Sequence, residues 1–307
     1  MGSRSPRPHH RRWVEGPECP ARLEPAASPP PGPLPLAGGG VSKALAAATA
    51  RFAFSPTARL DAELLLAHAL GVDRSAILID PDRYAVPASF AALVERRERH
   101  EPVAYITGTR GFWSIDLAVG PGVLIPRADS ETLLVAAQAH FGARAPTTIL
   151  DLGTGPGTLL LAALAEWPAR GLGVEYSSDA LAYARANAAT LGFTDRTHCV
   201  RGDWASAIAG RFDLILANPP YIGTDEALAP EVHDHEPHAA LFAGSDGLDD
   251  YRILAWQIPA LIAPGGVAVI EIGATQADAV AALFAAQGLA TTLHHDLGGN
   301  PRAITVT

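Results

Sequence analysis

Residues 218–221 read Asn-Pro-Pro-Tyr and close the apolar run FDLILA. An amide, two consecutive imino acids and a phenol suit one kind of substrate atom: a planar nitrogen, in an amide or on a nucleobase. Its lone pair is delocalised, so two acceptors must hold its N–H groups while the lone pair is aimed at an electrophile. The Asn218 side-chain oxygen can be one acceptor and the Pro219 backbone carbonyl the other. Pro220 stiffens the chain so that this carbonyl points outward. As the nitrogen becomes positive, both acceptors gain strength, which is the differential binding that catalysis requires. Tyr221 offers a face for stacking, and its π-cloud suits the developing charge. No titrating base is needed before transfer. The bland alternative is a proline-capped strand end without chemistry.

A second set lies upstream in DLGTGPG, residues 151–157. Gly153, Gly155 and Gly157 let the backbone turn tightly and approach a ligand, with Thr154 and Pro156 between them. Glu175 ends the following apolar run, where an acid accepts hydrogen bonds from ribose hydroxyls. A dinucleotide would use the same parts, and some such loops only pack helix on strand. Two features favour S-adenosylmethionine, whose sulfonium methyl would be the electrophile. Asp151 precedes the glycines, placed to meet the ligand's ammonium or to organise the loop. RGDW at 201–204 offers Asp203 to an adenine amino group and Trp204 as an aromatic wall, unless the indole simply packs in the core.

These residues need elements to hold them. From TTILDLG onward the chain alternates strand and helix through GLGVEYS, THCVRGD, FDLILANPP, GGVAVIEIG, LATTLHHDL and PRAITVT. That alternation predicts an α/β fold, a doubly wound, Rossmann-like, mostly parallel seven-stranded sheet over 128–307. Only DLGGN separates the last two strands, so they should pair as an antiparallel hairpin. This ending fits an S-adenosylmethionine-dependent methyltransferase better than an ordinary dinucleotide fold. Residues 41–102 have helical periodicity, with Ser55 and Pro56 opening one helix and Gly71 closing it, and form a small domain suited to docking a substrate. Residues 103–127 switch to β-branched and aromatic residues with Gly turns, which predicts a hairpin linker. Residues 1–40 are rich in Pro and Arg, cannot bury enough apolar surface to order, and read as a disordered, dispensable extension. Met1 is the only methionine, so a shorter form would need a non-standard start codon.

Composition narrows the classes. The 307 residues are 48% hydrophobic and 18% charged, without an apolar stretch long enough to span a membrane. Two cysteines, Cys19 and Cys199, exclude a disulfide framework and a cysteine zinc site, and a cytoplasmic setting follows. The formal charge of -9 leans away from direct nucleic-acid binding. HDHEPH at 233–238 gathers three histidines but reads as a loop closing over a pocket, and no metal is expected.

From about 41 to 307 the chain resembles the HemK/PrmC family of protein-glutamine N5-methyltransferases, which modify class I peptide-chain release factors. The resemblance rests on SPTARLDAELLLAHALG, RRERHEPVAYITG, VLIPRADSETLL, DLGTGPG, FDLILANPPYI, EVHDHEPHAALFAGSDGLDDYRIL, GGVAVIEIG and DLGGNPR, in that order. It implies S-adenosylmethionine as cofactor and, as substrate, the glutamine of the release factor's Gly-Gly-Gln motif. It carries cofactor roles onto residues 153–157, Glu175, Trp204 and Asn218, and substrate roles onto Asn218, Pro219, Pro220 and Tyr221. Around HDHEPH it matches Glu231, Glu236 and Pro237 rather than the histidines. Three positions depart from the pattern: Glu175 stands where Asp is usual, Pro156 where Ser or Thr is typical, and Ala128 where Pro is common. Arg127 and Glu131 either brace the domain junction or line the pocket. Rival readings are a glutamine methyltransferase of a ribosomal protein, an adenine-N6 DNA methyltransferase sharing Asn-Pro-Pro-Tyr, and a non-enzymatic adaptor. The DNA enzyme would need a recognition region and a basic groove, and an adaptor has no use for two aimed acceptors.

Overall fold

The computed structural model describes residues 40–307, so the expected extension up to residue 39, with Cys19, lies outside the described residues. The N-terminal part is a helical bundle of α1 (Val41–Arg51), α2 (Ala58–Leu70), α3 (Arg74–Ile79), α4 (Ser89–Glu98) and α5 (Val103–Thr107). Helix α1 buries Val41, Ala44, Leu45 and Ala48, a single stripe at helical spacing. That stripe meets Leu65, Leu66, Ile77, Phe90 and Val94 in a core of its own. Gly71 takes a left-handed conformation and closes α2 as expected. Ser55 is not the cap: Thr57 precedes the helix, and the Ser55 and Thr57 hydroxyls instead donate to Asp61 at 2.8 and 2.9 Å. A carboxylate buried in an apolar bundle needs those donors more than the helix end does.

Asp61 also receives Arg97 at 2.9 Å, and both side chains are buried. The same guanidinium reaches Glu231 at 2.7 Å and lies 5.0 Å from the Phe54 ring centroid. Glu231 belongs to α9 (Pro230–His235), far along the chain, so this cluster joins the bundle to the C-terminal part.

The linker differs from its expected form. Val103–Thr107 is helical, because Gly108 in a left-handed conformation ends α5 before the chain turns extended. The hairpin is confined to β1 (Thr109–Phe112) and β2 (Ile115–Ala118), paired antiparallel. The buried Asn187 takes both backbone groups of Ala118, accepting from its N–H at 2.8 Å and donating to its carbonyl at 3.1 Å. It also donates to the Pro156 carbonyl at 2.9 Å, which fixes the hairpin to the glycine loop.

The sheet comprises β3 (Thr148–Leu152), β4 (Arg170–Glu175), β5 (Thr197–Arg201), β6 (Phe212–Ala217), β7 (Ile262–Glu271), β8 (Thr291–His295) and β9 (Pro301–Val306). Their order is β5-β4-β3-β6-β7-β9-β8, with β9 antiparallel to both neighbours. Side chains alternate between faces. Ile149, Leu214, Leu216, Val267 and Val269 meet α6 (Glu131–Phe141), α7 (Thr158–Glu166) and α8 (Ser178–Thr190). Leu150, Leu152, Ile215, Ala268 and Ile270 meet α10 (Asp249–Gln257) and α11 (Ala277–Ala285). The strand order reverses between β3 and β6, where Leu152 pairs with Ala217. The glycine loop and Asn218 therefore leave the same edge side by side, at the switch point where open α/β sheets bind ligands.

Arg97→Ala should lower unfolding free energy by about 3–5 kcal/mol, because it strands the Asp61 carboxylate in the bundle. Denaturant unfolding with a matched wild-type slope checks this.

Candidate active site

A cavity of about 500 Å³ opens at that switch point. From the first strand's end it takes Asp151, Gly153, Thr154, Gly155 and Pro156, and from the next two strands Glu175, Asp203 and Trp204. Asn218 and Pro220 line its far side. Three expected residues stand outside the lining. Gly157 is the N-cap of α7, at φ 92°, where a Cβ would meet Leu161 Cδ1 at 2.7 Å. Pro219 is buried, and Tyr221 packs its ring into the cluster beneath, beside Gly273.

The glycine loop is a cradle with a wall. Gly153 has φ 73°, and a Cβ there would lie 3.0 Å from the Trp204 ring, so the indole rests directly against the loop backbone. Trp204 Nε1–H donates to Asp250 at 3.0 Å, which fixes the ring plane. Burial pushes the Asp250 carboxyl up from its ordinary value, against the Trp204 bond. The carboxylate of Glu175 accepts from the Gly155 and Ser177 N–H groups, both at 2.8 Å. Its extra methylene thus folds the acid back over the loop rather than leaving it loose.

Asp151 is buried and shares Oδ2 between the Thr154 hydroxyl at 2.6 Å and the Leu160 N–H at 3.2 Å. Its Oδ1 has no hydrogen-bond partner. Desolvation dominates these bonds and pushes the carboxyl up to about 7. A buried acceptor left open at the cavity wall suits a cationic ligand group.

On the opposite side, Asn218 Nδ2 donates to Ser130 Oγ at 3.4 Å. Among the described residues, neither Asn218 Oδ1 nor the Pro219 carbonyl accepts a hydrogen bond. Two acceptors at consecutive residues are therefore unpaired, the number a planar NH₂ group requires.

The roof comes from residues that sequence patterns mark less clearly. Tyr105 Oη donates to the Val123 carbonyl at 2.5 Å and pins the segment Gly122–Arg127 along the cavity. Glu236 is buried and accepts from Arg127 at 2.5 Å and from the Ile125 N–H at 3.2 Å. This pairing brings Pro237, Ala239 and Ala240 over the opening. Arg127 thus both braces the roof and lines the cavity, whereas Glu131 accepts from the Trp113 N–H at 2.9 Å and only braces. The histidines of HDHEPH engage other protein groups: His233 contacts Asp234, His235 the distant Arg99 carbonyl, and His238 the His233 carbonyl. Ser130 and Asp250 were legible only as members of longer motifs, since a lone Ser or Asp carries no spacing signal.

Known proteins are similar to this chain. A PrmC N-terminal domain model matches residues 43–108, and a methyltransferase small domain model matches 127–234. A release factor glutamine methyltransferase of Rhodospirillum rubrum is 48% identical over 256 residues, covering 80% of this chain and 78% of its own. The chain belongs to the release factor glutamine methyltransferase family. Family members from Caulobacter vibrioides and Cereibacter sphaeroides are 46% and 44% identical, covering 75% and 85% of this chain and 82% and 96% of their own. For this methyltransferase, the N-terminal match spans α1 to α5, and the second match runs from Arg127 past Asn218 into α9. Among the described residues, no helix is long and apolar enough to cross a membrane.

Asp151→Asn tests the buried carboxyl. A native value near 7 against an unfolded value near 3.8 means that the native state holds the extra proton between them. The group's contribution to stability therefore falls as pH rises through that window, and stays low above it. The ligand-free variant should melt above wild type at about pH 8, with the advantage gone by about pH 4. Thermal scans across this range are the check.

Proposed function

We propose that this enzyme transfers a methyl group from S-adenosylmethionine to the side-chain amide nitrogen (N5) of the glutamine in the Gly-Gly-Gln motif of class I release factors. The observation that carries the reading is the pair of open acceptors at Asn218 and Pro219, set beside the glycine loop by the pairing of Leu152 with Ala217. The activity of its relatives on release factors supplies the substrate class.

The residues at the glycine loop fit the cofactor. The orphaned Asp151 Oδ1 suits its ammonium, Glu175 its ribose, and Asp203 and Trp204 its adenine, within the cradle of Gly153, Thr154, Gly155 and Pro156. When bound, the sulfonium supplies an electrophilic methyl carbon. Asn218 Oδ1 and the Pro219 carbonyl hold the two N–H groups of the glutamine amide, which aims its lone pair and strengthens as positive charge develops. Tyr221, packed beneath this turn, supports it from the apolar cluster. The roof from Pro237 to Ala240 excludes water from the reacting atoms. The helical bundle and the linker supply surface for gripping the release factor.

Labelled cofactor offered to release factor, ribosomal protein and DNA, with mass spectrometry of the Gly-Gly-Gln peptide, decides among targets. Label on that glutamine is expected. Label only on DNA, or on none of the three, refutes the proposal, and label only on the ribosomal protein selects the sibling activity. Asn218→Ala should cost on the order of 10²-fold or more in turnover while cofactor binding survives in weakened form.

A further inference from the structure

The aromatic wall of the cavity is held by one helix, which also brings a fixed acceptor to its rim. Trp204 has φ 46°, a left-handed conformation that a bulky aromatic residue keeps only when its surroundings hold it. The indole is held at two edges. Its benzo edge lies against Gly153, where an added Cβ would be 3.0 Å from Cζ3 and 3.3 Å from Cη2. At the pyrrole edge, Nε1–H donates to Asp250 Oδ1 at 3.0 Å. The next residue is tied as well, since the Ala205 N–H donates to Gln257 Oε1 at 2.8 Å. Asp250 and Gln257 stand about two turns apart on α10, so a single helix grips both positions. That helix is itself anchored. The buried Tyr251 donates its hydroxyl to the Glu271 carbonyl at 3.0 Å, and Leu254 and Ala255 are buried with it.

The bond to Trp204 uses only one oxygen of Asp250. Its Oδ2 accepts no hydrogen bond among the described residues, and Asp250 lines the cavity beside Trp204. Asp203 lines the same region, but it is exposed and its carboxylate has no hydrogen-bond partner among the described residues. A half-buried acceptor already held in place loses little freedom on binding, and partial burial strengthens the bond it makes. A carboxylate moving freely at the surface has neither advantage.

We propose that Asp250 selects adenine as the base of the cofactor, its Oδ2 accepting from the 6-amino group while its Oδ1 keeps the indole wall in place. The inference rests on the cofactor assigned above and is independent of the release factor as substrate. The amino group has two N–H bonds, so Asp203 can take the other.

The donor count separates this role from simple bracing. An indole N–H only donates. In Asp250→Asn the amide must therefore turn its oxygen to Trp204 and present its NH₂ where Oδ2 stood. That group opposes the 6-amino group of adenine and matches the 6-oxo group of hypoxanthine. A carboxylate that only braced the indole would treat the two bases alike.

The test measures binding of S-adenosylhomocysteine and its 6-oxo counterpart, S-inosylhomocysteine, by calorimetry. Wild type is compared with Asp250→Asn, Asp250→Ala and Asp203→Asn. NMR follows the Trp204 indole N–H, assigned through its loss in Trp204→Phe. Wild type should favour the amino base by about tenfold or more. Asp250→Asn should bind the amino base about tenfold more weakly and the 6-oxo base more tightly, so that the preference disappears or reverses. Asp203→Asn, whose amide is free to rotate, should keep the wild-type order. The indole signal should stay in place in Asp250→Asn and shift in Asp250→Ala. Equal weakening of both ligands in Asp250→Asn, or an unchanged preference there, overturns the proposal. So does a larger swing in Asp203→Asn, or an indole signal unmoved in Asp250→Ala. Wild type that binds neither nucleoside overturns the cofactor assignment and this proposal with it. The expected binding order in an enzyme silent on release factor supports the proposal and refutes only the substrate assignment.

Discussion

The parallel pairing of β3 with β6 is the constraint on which the site depends. Leu152 opposite Ala217 means that two loops, remote in sequence, leave the sheet at one level. A slip of one residue would turn every side chain of β6 to the other face, moving Leu214 and Leu216 out of their cluster. The apolar packing of both sheet faces therefore enforces the register, and the register sets the distance between the glycine loop and the Asn218 amide. Stability and catalysis share one set of strand contacts.

Buried charge is used in two ways. In the bundle, Arg97 bridges Asp61 to Glu231 of α9, and the Ser55 and Thr57 hydroxyls complete the Asp61 carboxylate's bonding. At the sheet edge, Asp151 and Glu271 each keep an oxygen without a partner, and burial raises both carboxyls toward neutrality. Full satisfaction gives rigidity, whereas an incomplete set leaves bonding capacity for something that arrives later. One of them, Asp151, lines the cavity behind the glycine loop.

Much of this was legible in the residues. Strand–helix alternation foretold the seven-stranded sheet and its antiparallel end, and the glycine loop and Asn-Pro-Pro-Tyr pointed to one edge. Local signals failed where tertiary demand competed. Ser55 followed by Pro56 looks like a helix cap, yet the buried Asp61 draws its hydroxyl away. Val103–Thr107 carries β-branched residues and still forms a helical turn, ended by Gly108. Tyr221 was expected to face the substrate, but the ring packs beside Gly273, a contact between positions that no local spacing connects. Ser130, Asn187 and Asp250 matter through partners far along the chain, and a single sequence carries no trace of such pairings.

The segment around α9 is bonded at both ends of its short span. Glu231 reaches the bundle through Arg97, and Glu236 reaches the linker through Arg127 and the Ile125 backbone. The residues just beyond form the roof. The N-terminal bundle and the catalytic unit are accordingly not interchangeable modules. A chimera that grafts a foreign bundle onto this sheet would need its own counterpart of Arg97 facing Glu231, or the roof would lose one of its two hinge posts. Recombination within the family is therefore tolerated best where the crossover carries both halves of each tie together.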